Sequence, residues 1–231
     1  MQDYKTYRQI SIQDCGEGLV PIPEDIFAFE CPHPYQKLGA PYGKISPYRL
    51  RAGVLEALQK AQAKLQHQKL GWQIKIFDAY RPVAVQQFMV DYTFQRLRQQ
   101  LPDENDSEIA QQVAKFWAQP STDPEMPPPH STGGAVDITL VNERGETLDF
   151  GGKIDEISAR SLPNFYQDAT TTLEKTYHQR RELLKTIMLS ADFRQHPQEW
   201  WHFSLGDQMW AWLKRQELSK TNLIAYYGRV E

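Results

Sequence analysis

The longest helical pattern in the sequence lies between Tyr48 and Leu70, where apolar residues recur every three or four positions. Apolar residues at that spacing line one face of a helix, so an amphipathic helix that ends at Gly71 is predicted here. The same reasoning predicts further helices over Val83–Gln100, Ser107–Ala118, Glu174–Ala191 and Gln208–Gln216. Pro82 is expected as the first residue of the helix that continues through Val83–Gln100, and Asp106 or Ser107 as the cap of the next.

Strands are predicted where the pattern changes to alternation and β-branched residues. These segments are Trp72–Phe77, Ala135–Val141, a return segment Thr147–Phe150 and Trp200–Leu205. Residues 1–47 are rich in proline, glycine and aromatic residues and are expected to form an irregular arm with short strands that wraps the core. Hairpin strands with helices grouped between them favour an α+β fold with a small antiparallel sheet, and a single domain over residues 1–231.

Charge and composition exclude several function classes. The chain of 231 residues has a net charge of -3 and a sequence pI of about 6.1, which is unlike the basic surface of a nucleic-acid-binding protein. A polar start and the lack of a long apolar run predict a cytoplasmic protein with no membrane segment. The two cysteines, Cys15 and Cys31, are expected to be free thiols, so a metal site would have to use histidines and carboxylates.

The sequence lacks G-x-S-x-G and H-E-x-x-H, but it contains a histidine and an aspartate around a glycine pair, in His130-Ser-Thr-Gly-Gly-Ala-Val-Asp137. The glycines can turn the chain so that His130 and Asp137 point at one place. A third ligand from His202, in Glu199-Trp-Trp-His202, would give a zinc site with one open position. Glu199 could then take a proton from the water bound there.

Arg81, in Asp78-Ala-Tyr-Arg81-Pro, could project from a strand end and stabilise an oxyanion. Each of these residues also has an ordinary structural interpretation, and for Arg81 it is an ion pair with Asp78. Four further histidines lack partners at useful spacing and are assigned no role: His33, His67, His178 and His196.

Taken in order, the three motifs resemble those of the VanX-type D-alanyl-D-alanine dipeptidases, zinc D,D-peptidases with a hedgehog-like fold. The resemblance spans roughly residues 27–205. It implies one zinc ion held by His130, Asp137 and His202, with Glu199 as general base and Arg81 at the transition state. A small dipeptide would be the substrate, D-Ala-D-Ala cleaved to two D-Ala.

The resemblance also implies that Asp155, in Gly151-Gly-Lys-Ile-Asp155, binds the free amino group of the substrate, with Asp149 as a less favoured neighbour. Two departures from the family bear on substrate identity. Pro128 stands where the family usually has a serine, and Phe29 is expected to take the place of a substrate-side tyrosine.

Two alternatives remain open at this point. The same zinc ligands would serve a D,D-carboxypeptidase that acts on peptidoglycan stem peptides. A zinc-containing module that binds ligands without catalysis would need neither Glu199 nor Arg81. The oligomeric state and the biological role, recycling of D-Ala-D-Ala or glycopeptide resistance, leave no pattern in the sequence.

Overall fold

The computed structural model describes residues 4–114, 117, 119–219 and 222–230. Its strands are β1 (Leu19–Pro21), β2 (Ala28–Phe29), β3 (Arg49–Arg51), β4 (Gln73–Asp78), β5 (Ala135–Val141), β6 (Arg194–Gln195) and β7 (His202–Ser204). Its α-helices are α1 (Pro34–Lys37), α2 (Ala52–Gln68), α3 (Val83–Gln100), α4 (Asp106–Val113), α5 (Thr172–Ser190) and α6 (Gln208–Leu218). Three short 3-10 helices cover Tyr4–Gln9, Pro129–Thr132 and Ala159–Ser161.

The main sheet has five strands in the order β2-β4-β5-β7-β6. Every neighbouring pair is antiparallel except β2 and β4, which are parallel, and β1 and β3 form a separate antiparallel pair. The predicted α+β class is therefore confirmed, with one parallel edge strand that was not expected. Strand β2 is only two residues long and belongs to the arm, where no periodic pattern marks it.

One face of the sheet carries the main hydrophobic core. Side chains alternate between the two faces of a strand, and Ile74 and Ile76 of β4 point to the same side as Val136 and Ile138 of β5. Helices α2 and α5 cover this side with fully buried residues such as Leu58. The burial of these side chains accounts for the arrangement of helices on the sheet, because removal of apolar surface from water drives the packing.

A second, smaller cluster lies under α3 and α4. It buries Val85 and Met89 of α3 with Ile109 of α4, and its aromatic members are Tyr35 and Tyr42 from the arm and Trp117. The arm is thus packed against the helical layer beside the sheet as well as against the main core.

Most predicted elements are present, and their ends differ for local reasons. The bounds of α3 and β5 match the prediction. Helix α2 begins later than predicted, because Arg49–Arg51 pairs with β1 as strand β3. The cap of α4 is Asn105, one residue before the predicted ones, and Glu108 completes a capping box with it. Pro82 is the cap of α3 and precedes its first residue.

Other predicted segments are shorter or lie partly outside the described residues. Helix α4 ends at Val113, and residues 115, 116 and 118 of the predicted helix are not among those described. The return segment Thr147–Phe150 makes one antiparallel bridge, between Val141 and Thr147. Cys15 and Cys31 are both free and exposed, as expected. Within the described residues, no helix has the length and apolar character needed to cross a bilayer.

The described end of the chain packs against the segment that precedes β5. The Val230 amide donates to the Ser131 carbonyl at 3.0 Å, and the Tyr80 hydroxyl donates to the Val230 carbonyl at 3.1 Å. The Arg51 guanidinium joins the same region, since it donates to the carbonyls of Thr132 and Gly228, each at 2.8 Å. Residues 228–230 therefore support the turn that leads into β5.

Candidate metal centre and cavity

Three strands bring polar side chains to one level of the sheet. Asp137 on β5 lies directly opposite Asp78 on β4 and His202 on β7. Because Val136 and Ile138 point into the main core, Asp137 points to the other face of the sheet. His202 shares that face, since directly opposed residues project to the same side. The pairing register thus places Asp137 and His202 together.

Asp78 reaches this face because the β4–β5 pairing is irregular. The register shifts between Ile76 and Asp78, so that Asp78 pairs with Asp137. In a regular strand Asp78 would share the side of Ile76, which is the hydrophobic core. The bulge turns the carboxylate onto the polar side instead, where ion-pair partners are available.

His130 comes from the 3-10 helix that precedes β5, and a glycine pair joins the two. Gly133 has a φ of +70°, a left-handed conformation that favours glycine. A Cβ at Gly133 would lie 2.4 Å from a Leu19 methyl carbon, and one at Gly134 would lie 2.7 Å from the Leu205 carbonyl oxygen. The glycines turn the chain so that the His130 ring returns to Asp137, as the sequence predicts.

His130, Asp137 and His202 form a buried group whose geometry fits a metal ion. The His130 Nε2 lies 3.2 Å from Asp137 Oδ2 and 3.2 Å from His202 Nδ1, and His202 Nδ1 lies 3.0 Å from Asp137 Oδ1. Ligands about 2.0–2.1 Å from a tetrahedral zinc would be about 3.3 Å apart. The two ring nitrogens, and each ring nitrogen with one Asp137 oxygen, therefore have close to the separations that such an ion requires.

Hydrogen bonds fix which ring nitrogen of each histidine faces the group. The Nδ1 of His130 lies 2.7 Å from the Ala79 carbonyl, which can only accept, so Nδ1 carries the proton and Nε2 presents its lone pair. The far nitrogen of His202, Nε2, lies 3.3 Å from the Ser204 hydroxyl, which donates to Asp207 at 2.8 Å. Asp207 also caps α6, so the helix start is linked to the orientation of His202.

Arg81 lies beside the same group and is almost fully buried. Its guanidinium contacts Asp78 Oδ2 at 2.7 Å and Asp137 Oδ2 at 3.4 Å. The predicted ion pair with Asp78 is therefore present, and it holds the guanidinium next to the candidate metal ligands. Burial opposes ionisation of Asp78, but Arg81 and the His33 hydrogen bond outweigh it and lower the pKa of Asp78.

Glu199 stands at the edge of the group, with Oε2 3.9 Å from His202 Nδ1. This distance leaves it outside the close set of three ligand atoms. Burial raises the pKa of Glu199 to about 8, and the nearby His202 lowers it only partly. A carboxyl group with this pKa can both accept and donate a proton near neutral pH.

Asp155 faces the same cavity and accepts a hydrogen bond from the Tyr35 hydroxyl at 2.8 Å. Part of the residue is exposed to solvent, yet burial of the carboxyl group and the charge of Asp137 raise the pKa of Asp155 to about 6. Asp149 points elsewhere: it bonds the Tyr177 hydroxyl and the Gly151 amide at an exposed site. Between the two carboxylates, the structure places only Asp155 in the cavity wall.

Two residues of the arm have partners that the sequence does not reveal. The Tyr35 hydroxyl, besides donating to Asp155, lies 3.2 Å from an Arg81 nitrogen. His33 is buried and its Nε2 lies 3.0 Å from Asp78, a partner 45 positions away that spacing in the sequence does not indicate. Phe29, expected in the place of a substrate-side tyrosine, instead packs on the Tyr48 ring with centroids 4.6 Å apart.

His196 also lies closer to the group than its sequence position indicates. Its ring centroid is 5.4 Å from that of His202, and it borders the cavity. Neither position could be predicted from the sequence, because it depends on how the chain folds. His33 precedes a one-turn helix in the arm, and His196 lies in the loop between β6 and β7.

The candidate ligands, Arg81, Glu199 and Asp155 all line one cavity of about 110 Å³. Pockets for drug-sized ligands usually measure about 300–1,000 Å³, so this one suits a small molecule. Its wall also includes Tyr7 and Arg8 from the first 3-10 helix, Pro128 and Met209. All six site residues predicted from the sequence are thus brought together around a single small space.

Comparison with known families agrees with this geometry. A family model described as D-Ala-D-Ala dipeptidase, Peptidase_M15, matches residues 29–221. A D-alanyl-D-alanine dipeptidase of Synechocystis is 50% identical, over 98% of this chain and 97% of its own length. A D-alanyl-D-alanine dipeptidase of Escherichia coli is 33% identical over 58% of this chain and 56% of its own length.

Two solved structures resemble the chain distantly. VanY, a vancomycin-resistance D,D-pentapeptidase in complex with Zn(II), aligns with a TM-score of 0.47 and 15% identity, over 89% of this chain and 91% of its own. The LD-carboxypeptidase LdcB aligns with a TM-score of 0.43 and 16% identity, over 96% and 86%.

Proposed function

Because this chain belongs to the D-Ala-D-Ala dipeptidase family of M15 peptidases, we propose that it hydrolyses D-alanyl-D-alanine to two molecules of D-alanine. One observation carries the proposal: the His130–Asp137–His202 group, Glu199 and Asp155 line the same small cavity. A metal site, a proton carrier and a carboxylate for an ammonium group are the parts that such a hydrolysis needs.

We infer that the metal is a single zinc ion held by His130 Nε2, His202 Nδ1 and a carboxylate oxygen of Asp137. Two imidazoles and one carboxylate are a ligand set that catalytic zinc uses with a fourth position left for water or substrate. Bound there, zinc lowers the pKa of a water to about 7 and polarises the carbonyl to be attacked.

Glu199 is proposed as the general base and then the general acid. It lies close to His202 without competing for the ion, so its carboxylate can accept a proton from the attacking water. The same carboxyl group then delivers that proton to the nitrogen of the departing D-alanine. Its raised pKa suits both steps, because a proton can be held and released near neutral pH.

Arg81 is proposed to stabilise the negative charge that develops on the carbonyl oxygen. A guanidinium that Asp78 holds in place needs no reorganisation during the reaction. Asp155 and the Tyr35 hydroxyl are proposed to bind the free ammonium group of the dipeptide. A longer peptide has no ammonium at that position, so this contact would restrict the enzyme to dipeptides.

The decisive experiment measures D-alanine release by the zinc-loaded protein from D-Ala-D-Ala and from N-acetyl-D-Ala-D-Ala. We expect hydrolysis of the free dipeptide alone, and loss of it with a chelator. In Glu199→Gln the zinc content should stay at one per chain while kcat falls roughly 10²- to 10⁴-fold. Hydrolysis of both peptides would instead indicate a D,D-carboxypeptidase, and zinc binding without any hydrolysis would indicate a ligand-binding module.

Asp149→Asn is a matched control for Asp155→Asn. Both remove one carboxylate from the same loop region, but only Asp155 lines the cavity. The Asp155 variant should lose activity on the free dipeptide, and the Asp149 variant should keep it. Equal activity of the two variants would exclude Asp155 from ammonium binding.

A cytoplasmic location is proposed as well. The two cysteines are exposed and unpaired, a state that a reducing compartment preserves. Fractionation of cells that express the untagged protein would test this, and recovery outside the cytoplasm would contradict it.

A further inference from the structure

The proposed reaction assigns a partner to the ammonium group and to the scissile carbonyl of the substrate, but none to its C-terminal carboxylate. Asp137, Asp155 and Glu199 all line the wall. A free dipeptide is a zwitterion, and in the proposed reaction the zinc ion and Arg81 are occupied with the scissile carbonyl, not with the terminal carboxylate. Burying that carboxylate without a partner costs free energy, so a cationic group is needed where it lies.

Arg81 is already assigned to the developing oxyanion, and each nitrogen of its guanidinium has a partner, which leaves few N–H groups for a carboxylate as well. Nε donates to Asp78 at 2.8 Å, one terminal nitrogen donates to Gln86 at 2.8 Å, and the other contacts Asp78, Asp137 and Tyr35. Two carboxylates thus balance the single charge of Arg81. A substrate carboxylate would have to displace these contacts.

Arg8 is the other guanidinium in the cavity wall, and its contacts are with neutral groups. It meets the Tyr7 hydroxyl at 3.4 Å and the Gln119 carbonyl at 3.5 Å, both long for hydrogen bonds. Across the described part of the chain, no carboxylate lies within ion-pair distance of it. The charge of Arg8 is therefore available to a ligand.

The backbone that carries Arg8 is nevertheless held firmly. The Gln208 side-chain amide, at the start of α6, donates to the carbonyls of Arg8 and Ile10 at 3.2 and 2.6 Å. Tyr7 beside it is buried with only 3% of its surface exposed. Arg8 is half-buried, its hydrogen bonds are long, and its backbone is anchored, so its planar guanidinium can bind a carboxylate through two N–H groups.

Two neighbouring residues of the wall have no backbone donor. Pro128 and Pro129 border the cavity, and proline has no backbone N–H. Asp155, at the proposed ammonium site, also borders an adjoining cavity that Arg8 does not reach. Asp155 and Arg8 therefore lie in different parts of the wall, as binding of the two ends of a dipeptide requires.

We propose that Arg8 binds the C-terminal carboxylate of the dipeptide and sets the preference for a free acid. This inference rests on the proposed function, and it assigns a binding role to a residue outside the 29–221 span of the family match. The proposal predicts that the enzyme binds both termini of its substrate, the ammonium group through Asp155 and the carboxylate through Arg8.

The test measures the affinity of D-Ala-D-Ala and of D-Ala-D-Ala amide by calorimetry, using zinc-loaded Glu199→Gln protein so that no turnover occurs. Adding Arg8→Gln should weaken binding of the free acid roughly 10- to 100-fold, the range of a charged hydrogen bond, and leave the amide unchanged. Arg8→Lys should restore part of the affinity. Arg144→Gln, in an exposed turn away from the cavity, is the matched control and should change neither.

An equal loss for acid and amide, or no loss for either, would overturn the role of Arg8. The result is separable from the proposed function, because binding is read without hydrolysis. One outcome is that the protein with Glu199 intact fails to cleave D-Ala-D-Ala while its preference for the free acid still depends on Arg8. That result would support the carboxylate site and contradict the proposed reaction. Cleavage of D-Ala-D-Ala together with binding that does not depend on Arg8 would support the reaction and contradict the carboxylate site. Thermal melting of each variant checks that it is folded.

Discussion

At the scale of single residues, Asp78 shows how one buried charge organises the site. Its side chain is fully buried and lies within hydrogen-bond distance of His33, Tyr42 and Arg81. A buried carboxylate needs such partners, since an unpaired one would be strongly destabilising. These partners offset the free energy of burying the charge. The buried pair also fixes the position of Arg81, which a solvent-exposed ion pair would not do.

Ammonium binding by Asp155 should depend on pH. The pKa of Asp155 is raised to about 6, chiefly by burial, so its carboxylate is ionised above that pH and protonated below it. We expect the affinity of zinc-loaded Glu199→Gln protein for D-Ala-D-Ala to fall as the pH drops from 7.5 through 6 to 5. Asp155→Asn should bind more weakly at pH 7.5 and show no change of affinity across this range.

Zinc content must be measured at each pH, because protonation of His130 and His202 also releases a metal ion. Constant affinity of the Asp155-containing protein from pH 7.5 to 5, with zinc retained, would contradict the proposed contact.

Site residues could be predicted from the sequence where they belong to short motifs. His130 and Asp137 are seven positions apart around a glycine turn, and Glu199 and His202 lie three apart, so the chemistry is visible locally. Tyr35 and Arg8 come from the arm, where no hydrophobic period fixes a face or direction. Their approach to the cavity depends on long-range packing, with α3 and α4 for Tyr35 and with α6 for Arg8.

At the scale of elements, helices and strands with a strong pattern could be predicted and short pieces could not. Val83–Gln100 and Ala135–Val141 carry long, regular patterns and match the structure from end to end. The two-residue strands β2 and β6 are too short to show alternation and exist only because a neighbouring strand pairs with them. No sequence pattern indicates the bulge in β4, although the bulge determines the face of the sheet on which Asp78 lies.

Gly133→Ala should show that the turn before β5 positions His130. Alanine in the left-handed conformation costs about 1–2 kcal/mol, and its Cβ would meet Leu19 at 2.4 Å. Gly145→Ala is the matched control, with a φ of +76° and no atom within 4 Å of the added Cβ. Chemical denaturation should give a larger loss of unfolding free energy for Gly133→Ala.

Only the Gly133 variant should also bind zinc more weakly, by roughly 10- to 100-fold, as measured by competition with a chelator. Equal zinc affinities in the two variants would mean that the turn is not needed to orient His130.

At the scale of the whole molecule, the candidate ligands join parts of the chain that are distant in sequence. Asp137 and His202 belong to adjacent strands of the central sheet, and His130 to the turn before it. An ion bound only by this arrangement favours the native state over the unfolded one. Metal binding and folding are therefore coupled through the sheet.

Zinc should raise the thermal midpoint of the protein. At a free zinc concentration a hundred times the dissociation constant, the stabilisation is about 2.7 kcal/mol, or roughly 5–10 °C for a chain of this size. Glu199→Gln should keep this shift, because Glu199 lies outside the ligand set. His202→Ala should lose it together with activity, and a full zinc-dependent shift in that variant would exclude His202 as a ligand.

The contact between Val230 and Ser131 has a consequence for the timing of biosynthesis. The turn that presents His130 leaves the ribosome long before residues 228–230 are made, and folding of a domain begins during synthesis. Until residues 228–230 have been made, the Ser131 carbonyl lacks the Val230 amide as a donor, and the guanidinium of Arg51, which donates to the Thr132 carbonyl, lacks the Gly228 carbonyl as a second acceptor. The turn that presents His130 would thus reach its final set of hydrogen bonds only after residues 228–230 have been synthesised, later than the strands and helices that precede them.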